Sequence, residues 1–161
     1  MASAHAEPLR MLARPVSQRV DTARAVARYG GAAALLAVGA VHAQQYYAAY
    51  FSVVPVIGTL FLLSFIGSGV VGLALLAPLE RLSRRFGELP LVLAALGGIG
   101  IAFGSLVSLL VSEYTPLFGF MESGYRLAVI LAIVFDVLTT VLLGAFVVMT
   151  LRARLRPRTP R

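Results

Sequence analysis

The stretch that decides the fold is residues 127–151, LAVILAIVFDVLTTVLLGAFVVMTL. It contains one acidic residue, Asp136, and is longer than the ~20 apolar residues that an α-helix needs to cross a hydrocarbon core about 30 Å thick. Three earlier stretches have the same apolar character, at about residues 29–51, 56–79 and 89–111. The sequence therefore predicts an all-α integral membrane protein with four transmembrane helices.

The composition supports this fold class and excludes several kinds of protein. Of the 161 residues, 59% are hydrophobic, and the mean hydropathy of +0.88 is too high for an ordinary soluble domain. The four stretches use most of the chain, which excludes a large soluble domain. The chain has no cysteine, which excludes thiol–disulfide chemistry, iron–sulfur clusters and thiolate metal sites.

The distribution of arginine predicts the orientation of the helices. All 14 basic residues are arginine, and 13 of them lie before the first stretch, between the second and third, or after the fourth. Arg126 alone lies on the other side. Positively charged residues concentrate in cytoplasmic loops. We therefore predict four antiparallel helices in the plasma membrane of the cell, with both termini in the cytoplasm.

The segments outside the helices are predicted to contact lipid. Residues 1–28 form a basic arm, either disordered or partly folded as a helix on the membrane surface, and residues 152–161 form a basic tail. These segments flank the bundle of residues 29–151. Topology and attraction to anionic headgroups explain the net charge of +7. We expect the bilayer and its anionic headgroups as partners, a homo-oligomer or a larger membrane complex as an alternative, and no nucleic acid.

Rows of small residues predict how the helices pack. Within lipid, small side chains let helix backbones approach closely. Each of the four stretches carries such a row at helical spacing, and we predict that these rows pack within the chain, self-association being the alternative. The residues predicted to pack are Ala33, Ala37, Gly39, Ser64, Ser68, Gly72, Gly100, Gly104 and Gly144.

Asp136 is the strongest candidate for a functional residue. It lies about nine residues into the fourth stretch, where a charge is costly, so we expect it to face the bundle interior or a water-filled cavity. One interpretation is a proton or cation site. The other is structural: the carboxyl group fixes the position of the helix through a hydrogen bond, with Thr139 or Thr140 as the partner.

His42 is the second candidate, because an imidazole is also costly to leave in lipid. It lies at a depth similar to that of Asp136. We predict that the two side chains are neighbours, directly or through Gln45 or a water molecule. A carboxylate beside an imidazole is one way to hold a proton near neutral pH. The alternative is a hydrogen bond that only specifies packing.

Polar and aromatic residues are predicted to form a mouth at the outer end of the bundle, namely Tyr46, Glu113, Tyr114 and Glu122. A metal site built from His42, Asp136 and Glu113 would lack the usual ligand spacing, so we predict no metal. Haem with two axial histidines is excluded within one chain, because His5 belongs to the cytoplasmic arm. We predict no cofactor.

One stretch resembles a known pattern. Residues 42–63, HAQQYYAAYFSVVPVIGTLFLL, place a histidine at the end of the first helix, followed by aromatic residues, Pro-x-x-Gly at Pro55 and Gly58, and Leu-Phe-Leu-Leu. This order resembles small four-helix integral membrane proteins of high-GC actinobacteria. The resemblance implies no particular activity.

The sequence narrows the function to three classes. It lacks a glycine-rich phosphate loop, an HExxH motif and a recognisable Ser–His–Asp set. The leading expectation is a small multi-pass membrane protein that is not an enzyme and that assists a larger assembly or holds a small-molecule or proton site at His42 and Asp136. The alternatives are a subunit of an oligomeric proton-coupled transporter or channel, and a membrane redox or cofactor-binding subunit.

Overall fold

Four long helices make up most of the described chain. The structure is a computed structural model that describes residues 16–78, 87–121, 124 and 126–155. The helices are α1 (Val16–Tyr47), α2 (Pro55–Leu76), α3 (Leu89–Tyr114) and α4 (Leu127–Leu155). Each is long and apolar enough to cross a membrane. The predicted all-α fold is therefore confirmed, with four helices that are long and apolar enough to span a membrane.

The first helix begins earlier than the first apolar stretch. It starts at Val16, inside the predicted basic arm, because Val20, Ala23 and Ala27 continue the helical spacing upstream of residue 29. The helix expected within the arm therefore runs into the first spanning stretch without a break. Residues 1–15, the connection 79–86 and the tail residues 156–161 lie outside the described chain.

A tight turn joins α1 to α2. Tyr50 has a left-handed backbone with φ of 61°, and a short 3-10 turn follows at Phe51–Val53. Pro55 occupies the first turn of α2, where its missing N–H leaves no helical bond unmade. A Cβ at Gly58 would lie 2.6 Å from the Phe51 carbonyl oxygen. The turn therefore requires glycine at position 58, and it holds Phe51 against α2.

The helices pack in a ring that follows chain order. α1 makes its largest contacts with α2 and α4, and α3 packs against α4. The seam between α2 and α3 is the least extensive contact between neighbouring helices. This loose seam matters below, because a cavity opens along it.

The centre of the bundle is built from leucine side chains that pack on glycine. Leu35 and Leu143 are fully buried. A Cβ at Gly98 would lie 2.8 Å from Leu143 and 2.9 Å from Leu35, and a Cβ at Gly31 would lie 2.5 Å from Leu143. Because glycine has no side chain, α1, α3 and α4 come close enough for the two leucines to fill the space between them.

Three of the predicted packing residues lie where α1 and α2 meet. Gly39, Ser68 and Gly72 are buried. A Cβ at Gly39 would lie 3.0 Å from that of Ser68, and a Cβ at Gly72 would lie 2.7 Å from the side chain of Leu36. These small residues allow the close approach of the two helices.

Other predicted packing residues are more exposed. Ala33, Gly100 and Gly104 are exposed, and Ala37, Ser64 and Gly144 are half-buried; a Cβ at Gly100, Gly104 or Gly144 would meet no atom within 4 Å. On α1 the inward face carries Gly31, Leu35 and Gly39 instead. This row faces inward although it contains a leucine, because Leu35 fills the space beside Gly98. A large residue is therefore compatible with a helix face that packs.

One end of the bundle, which we call the arginine end, carries Arg24, Arg28 and Glu88. Arg28 is buried, and its guanidinium donates hydrogen bonds to the carbonyl oxygens of Leu75 at 2.7 Å and Ala77 at 2.6 Å. Carbonyls in the last turn of a helix lack helical partners, so Arg28 caps α2. Arg24 forms an ion pair with Glu88 at 2.7 Å, which ties α1 to the start of α3.

The surface between the two ends of the bundle is apolar. Large side chains are exposed on α2, α3 and α4, among them Leu63, Val70, Phe103 and Val141. An apolar surface of this extent is unfavourable in water and is the expected face toward lipid tails. Together with the four spanning helices, it indicates a membrane-embedded protein.

Candidate functional site

A cavity of about 320 Å³ lies in the half of the bundle away from the arginine end, and we call it the aromatic-end cavity. All four helices contribute to its wall, as does the connection between α3 and α4. Most of the wall is apolar, with Ile57, Phe61, Ile101 and Val129 among its residues. Its size lies at the lower end of the range for small-ligand sites.

Six polar side chains interrupt this apolar wall, namely His42, Gln45, Ser64, Ser105, Ser108 and Ser112. The three serines of α3 are three and four residues apart and therefore share one face of the helix. The sequence analysis missed Ser105 and Ser112, although their regular spacing was visible. It considered Ser64 only as a packing residue.

The orientation of His42 is fixed by its own helix. Its side chain is buried, and Nδ1 lies 2.8 Å from the Val38 carbonyl oxygen. A carbonyl oxygen only accepts hydrogen bonds, so Nδ1 carries the proton in the neutral imidazole. Nε2 is then an acceptor, and the Ser105 hydroxyl lies 3.3 Å from it. His42 therefore presents a basic nitrogen to Ser105.

Asp136 lies behind Ser105, one layer deeper than the cavity. Its side chain is fully buried, and it is absent from the cavity wall. The Ser105 hydroxyl is beside the carboxyl group, yet neither carboxyl oxygen has a partner within hydrogen-bond distance in the described part of the chain. Ser105 therefore lies between His42 and Asp136 and contacts both.

If the Asp136 carboxyl group turns to within hydrogen-bond distance of Ser105, the hydroxyl group can join the two side chains in two ways, because Ser105 has a single proton to donate. With a protonated Asp136, the carboxyl group donates to Ser105, and Ser105 donates to Nε2 of a neutral His42. If each proton moves one step, imidazolium Nε2 donates to Ser105, and Ser105 donates to the carboxylate. The total charge is the same in both states. The cluster can therefore hold one proton at either end.

This arrangement differs from a catalytic Ser–His–Asp triad. In a triad the carboxylate holds the histidine through Nδ1. Here Nδ1 of His42 is bonded to the Val38 carbonyl, and Asp136 lies on the Ser105 side, where a carboxylate charge would oppose a serine alkoxide. The geometry favours holding a proton or binding a ligand over nucleophilic attack by Ser105.

The two threonines after Asp136 do not bond its carboxyl group. Thr140 donates to the Asp136 backbone carbonyl at 2.8 Å, the usual bond of a threonine within its own helix. Thr139 is fully buried, and its hydroxyl has no partner among the described residues. The predicted lock between a threonine and the carboxyl group is therefore not made in this structure.

Gln45 lines the cavity and is buried, but it does not bridge His42 and Asp136. Its amide donates to the side chain of Gln44. The bridging position is taken by Ser105, whose hydroxyl lies beside both Nε2 of His42 and the Asp136 carboxyl group. Whether Gln45 or Ser105 bridges the two side chains depends on how the helices are arranged around the bundle, which the sequence does not predict.

The predicted mouth is not part of the cavity. Tyr46 is half-buried and packs edge-on against Tyr47 at 4.8 Å between ring centres, Glu113 is half-buried, and Tyr114 is 78% exposed. None of the three lines the cavity. Glu122 lies outside the described residues.

Three phenylalanine rings cover the end of the cavity, and we call Phe51, Phe61 and Phe120 the aromatic cover. Phe51 packs against Phe61 and against Phe120, each at 5.1 Å between ring centres, and Phe61 packs against His42 at 5.3 Å. The Arg126 guanidinium lies 6.0 Å from the Phe51 ring centre. The sequence predicted aromatic residues at this end of the bundle, but not that phenylalanine rings would pack over a cavity.

The described residues contain no group of three or more His, Cys, Asp or Glu side chains placed to hold a metal ion. The polar groups of the cavity are instead hydroxyls, an amide and an imidazole, which suit hydrogen bonding. Comparisons with protein-family models, curated proteins and solved structures find no match to this chain.

Proposed function

We propose that this chain is a small, non-enzymatic, multi-pass membrane protein that holds a small ligand together with a proton in one half of its bundle. The observation that carries the proposal is the aromatic-end cavity, whose wall includes His42 and Ser105 and behind which Asp136 is fully buried. Intramembrane ionisable residues usually serve a function because burying them is costly. Here the two ionisable groups meet at the serine that faces the cavity.

The proposed topology has four antiparallel helices in the plasma membrane and both termini in the cytoplasm. It is supported by the arginine end, where Arg24 and Arg154 lie beside Glu88 and Arg28 caps α2, since positive residues mark the cytoplasmic side. Under this topology the aromatic-end cavity lies in the outer half of the membrane. The arginine clusters would contact anionic headgroups at the inner surface.

Native mass spectrometry of the protein, extracted gently from its own membrane, tests the ligand. The wild-type chain should carry a co-purifying small molecule, because the cavity is mostly apolar and large enough for a small ligand. The Ser105→Val and His42→Phe variants should lose that mass while keeping helical circular dichroism. Arg24→Gln, at the other end, is the control that should retain it. A bare wild-type chain, or equal loss in Arg24→Gln, would contradict the proposal.

A second candidate is a subunit of an oligomeric proton-coupled transporter or channel. The observation that favours it is the exposed row Gly97, Gly100 and Gly104 on α3, since small residues on a helix surface permit close contact with another helix. This candidate predicts oligomers in native mass spectrometry and loss of transport in Asp136→Asn with folding retained. A strictly monomeric chain would exclude it.

A further inference from the structure

We infer that the occupant of the aromatic-end cavity is a neutral, single-chain lipid whose hydroxyl or carbonyl head lies at His42 and Ser105 and whose hydrocarbon tail leaves between α2 and α3. This inference rests on the proposed ligand site and specifies the class of ligand. It follows from where the cavity is closed, where it is open and which groups line it.

The α2–α3 seam is closed in one half and open in the other. Toward the arginine end, a Cβ at Gly67 would lie 3.1 Å from the side chain of Ile101, and a Cβ at Gly98 would lie 3.5 Å from Val71. Beyond Ile101 the facing residues of the two helices line the cavity instead. The helices therefore separate toward the aromatic end, and Ile101 lies where the opening begins.

The exposed residues of the cavity wall all lie on this seam. Leu60 is 41% exposed, and Gly104 and Ser108 are exposed; the other lining residues are buried or half-buried. A Cβ at Gly104 would meet no atom within 4 Å, so the gap beside it is open. We call the gap at Leu60, Gly104 and Ser108 the side opening.

The side opening faces hydrocarbon. Gly104 lies ten residues before Tyr114 at the end of α3, about 15 Å deeper in the membrane at the rise of an α-helix. At that depth the surrounding medium is lipid tails. In the direction toward water lies the aromatic cover, in which Phe51 packs tilted against Phe61 and edge-on against Phe120. A ligand therefore reaches the cavity from the membrane.

The lining groups specify the head of that ligand. The polar wall consists of serine hydroxyls, the Gln45 amide and the His42 imidazole, and none of the arginines in the described part of the chain lines it. A phosphate or carboxylate head would have no cationic partner there and would face the Asp136 carboxyl behind Ser105. A hydroxyl or carbonyl head can instead exchange hydrogen bonds with Ser105, Ser108 and Nε2 of His42. The lining groups therefore favour an uncharged ligand head.

Photocrosslinking in lipid nanodiscs tests this inference. The probe is a long-chain fatty alcohol with a diazirine in its chain, and labelled sites are mapped by peptide mass spectrometry. In the wild-type chain, labels should fall on residues of α2 and α3 at the side opening. In Gly104→Leu, whose Cβ would meet no atom within 4 Å and whose side chain would occupy the opening, labelling should fall by about tenfold or more, the change that ~1.4 kcal/mol of lost affinity gives.

Gly100→Leu is the matched control. Gly100 is one turn away on the same helix, is also exposed, and has no atom within 4 Å of an added Cβ, but it does not line the cavity. Its labelling should equal that of the wild type. Equal labelling in Gly104→Leu would refute passage through the side opening, and stronger labelling by the matching fatty acid would refute the neutral head.

The experiments distinguish failure of the proposed ligand site from failure of the proposed neutral-lipid occupant. If native mass spectrometry finds a ligand that Ser105→Val abolishes, while the fatty alcohol labels neither α2 nor α3 at the side opening, the site is real and its occupant is not a neutral lipid. If the wild-type chain carries no ligand and takes no label in the cavity, both proposals are wrong. Labelling lost in Gly104→Leu and Ser105→Ala, but kept in Gly100→Leu, supports both.

Discussion

The two ends of the bundle differ in whether their buried charged side chains are hydrogen-bonded. At the arginine end, the buried Arg28 donates to two carbonyls of α2 that would otherwise lack partners. In the other half, the buried Asp136 has two oxygens without a partner among the described residues, and it lies behind a cavity. An unpartnered buried group reduces stability. The first arrangement stabilises the fold, whereas the second retains an unfavourable feature beside the site where we place function.

The largest expected effect is at the leucine–glycine centre that both halves share. Gly98→Leu should abolish folding or lower the free energy of unfolding by about 3 kcal/mol or more, because its side chain would overlap both Leu35 and Leu143. Unfolding in a denaturing detergent measures this. Gly100→Leu, two residues along and open to lipid, is the control. A stable, wild-type-like Gly98→Leu variant would show that the packing at the centre is wrong.

Arg28→Met should lower the free energy of unfolding by about 2 kcal/mol, because two carbonyl oxygens of α2 lose a charged donor. Arg24→Met is the comparison at the same end, and it should cost about 1 kcal/mol or less because its ion pair with Glu88 is partly exposed. The same unfolding assay applies to both variants. Equal losses would mean that Arg28 does not act as a cap.

Asp136→Leu should have the opposite effect and raise the free energy of unfolding by about 1 kcal/mol, because it removes two buried oxygens that have no hydrogen-bond partner among the described residues. Stability gained by removing a functional group is a common trade-off. A structural lock predicts the reverse. If Asp136→Leu unfolds more easily than the wild type, while Asp136→Asn does not, the carboxyl group holds the helices together and the contrast between the ends disappears.

The smallest effect is expected at the side opening. Gly104→Ala should raise the free energy of unfolding by about 0.5 to 1 kcal/mol, the ordinary gain of alanine over glycine in a helix, because its Cβ meets no neighbour. Gly31→Ala should lower it, because that Cβ would lie 2.5 Å from Leu143. Thermal unfolding of the two variants side by side measures both signs. A destabilised Gly104→Ala would mean that the opening is closed.

Hydropathy alone predicted four spanning helices, because only long apolar stretches can cross lipid with their backbone groups bonded. It did not predict which helix faces meet, because lipid tails are as apolar as a helix interior. Small-residue rows therefore misplaced Ala33 and Gly100, and the leucine at position 35 concealed the true inward face of α1. The ionisable side chain of Asp136 predicted an inward-facing position more reliably than the small size of Ala33 and Gly100 did.

The candidate site was predictable only in part for the same reason. His42 and Asp136 stand out in apolar stretches, so the sequence singled them out. Ser105 does not, because serine is common in membrane helices and its role depends on which face of α3 lies beside His42 and Asp136. The cavity depends on the separation of α2 and α3 beyond Ile101, which no local pattern encodes. The sequence also did not predict that the rings of Phe51 and Phe120 would be in contact.

The most direct test of the central claim is an experimental structure of the protein extracted with its native lipids and held by a binding antibody fragment. The account predicts non-protein density in the aromatic-end cavity, with one end beside Ser105 and the other leaving between α2 and α3 at Gly104. Helices α2 and α3 closed against each other along their whole length, with no density beside Ser105, would contradict it.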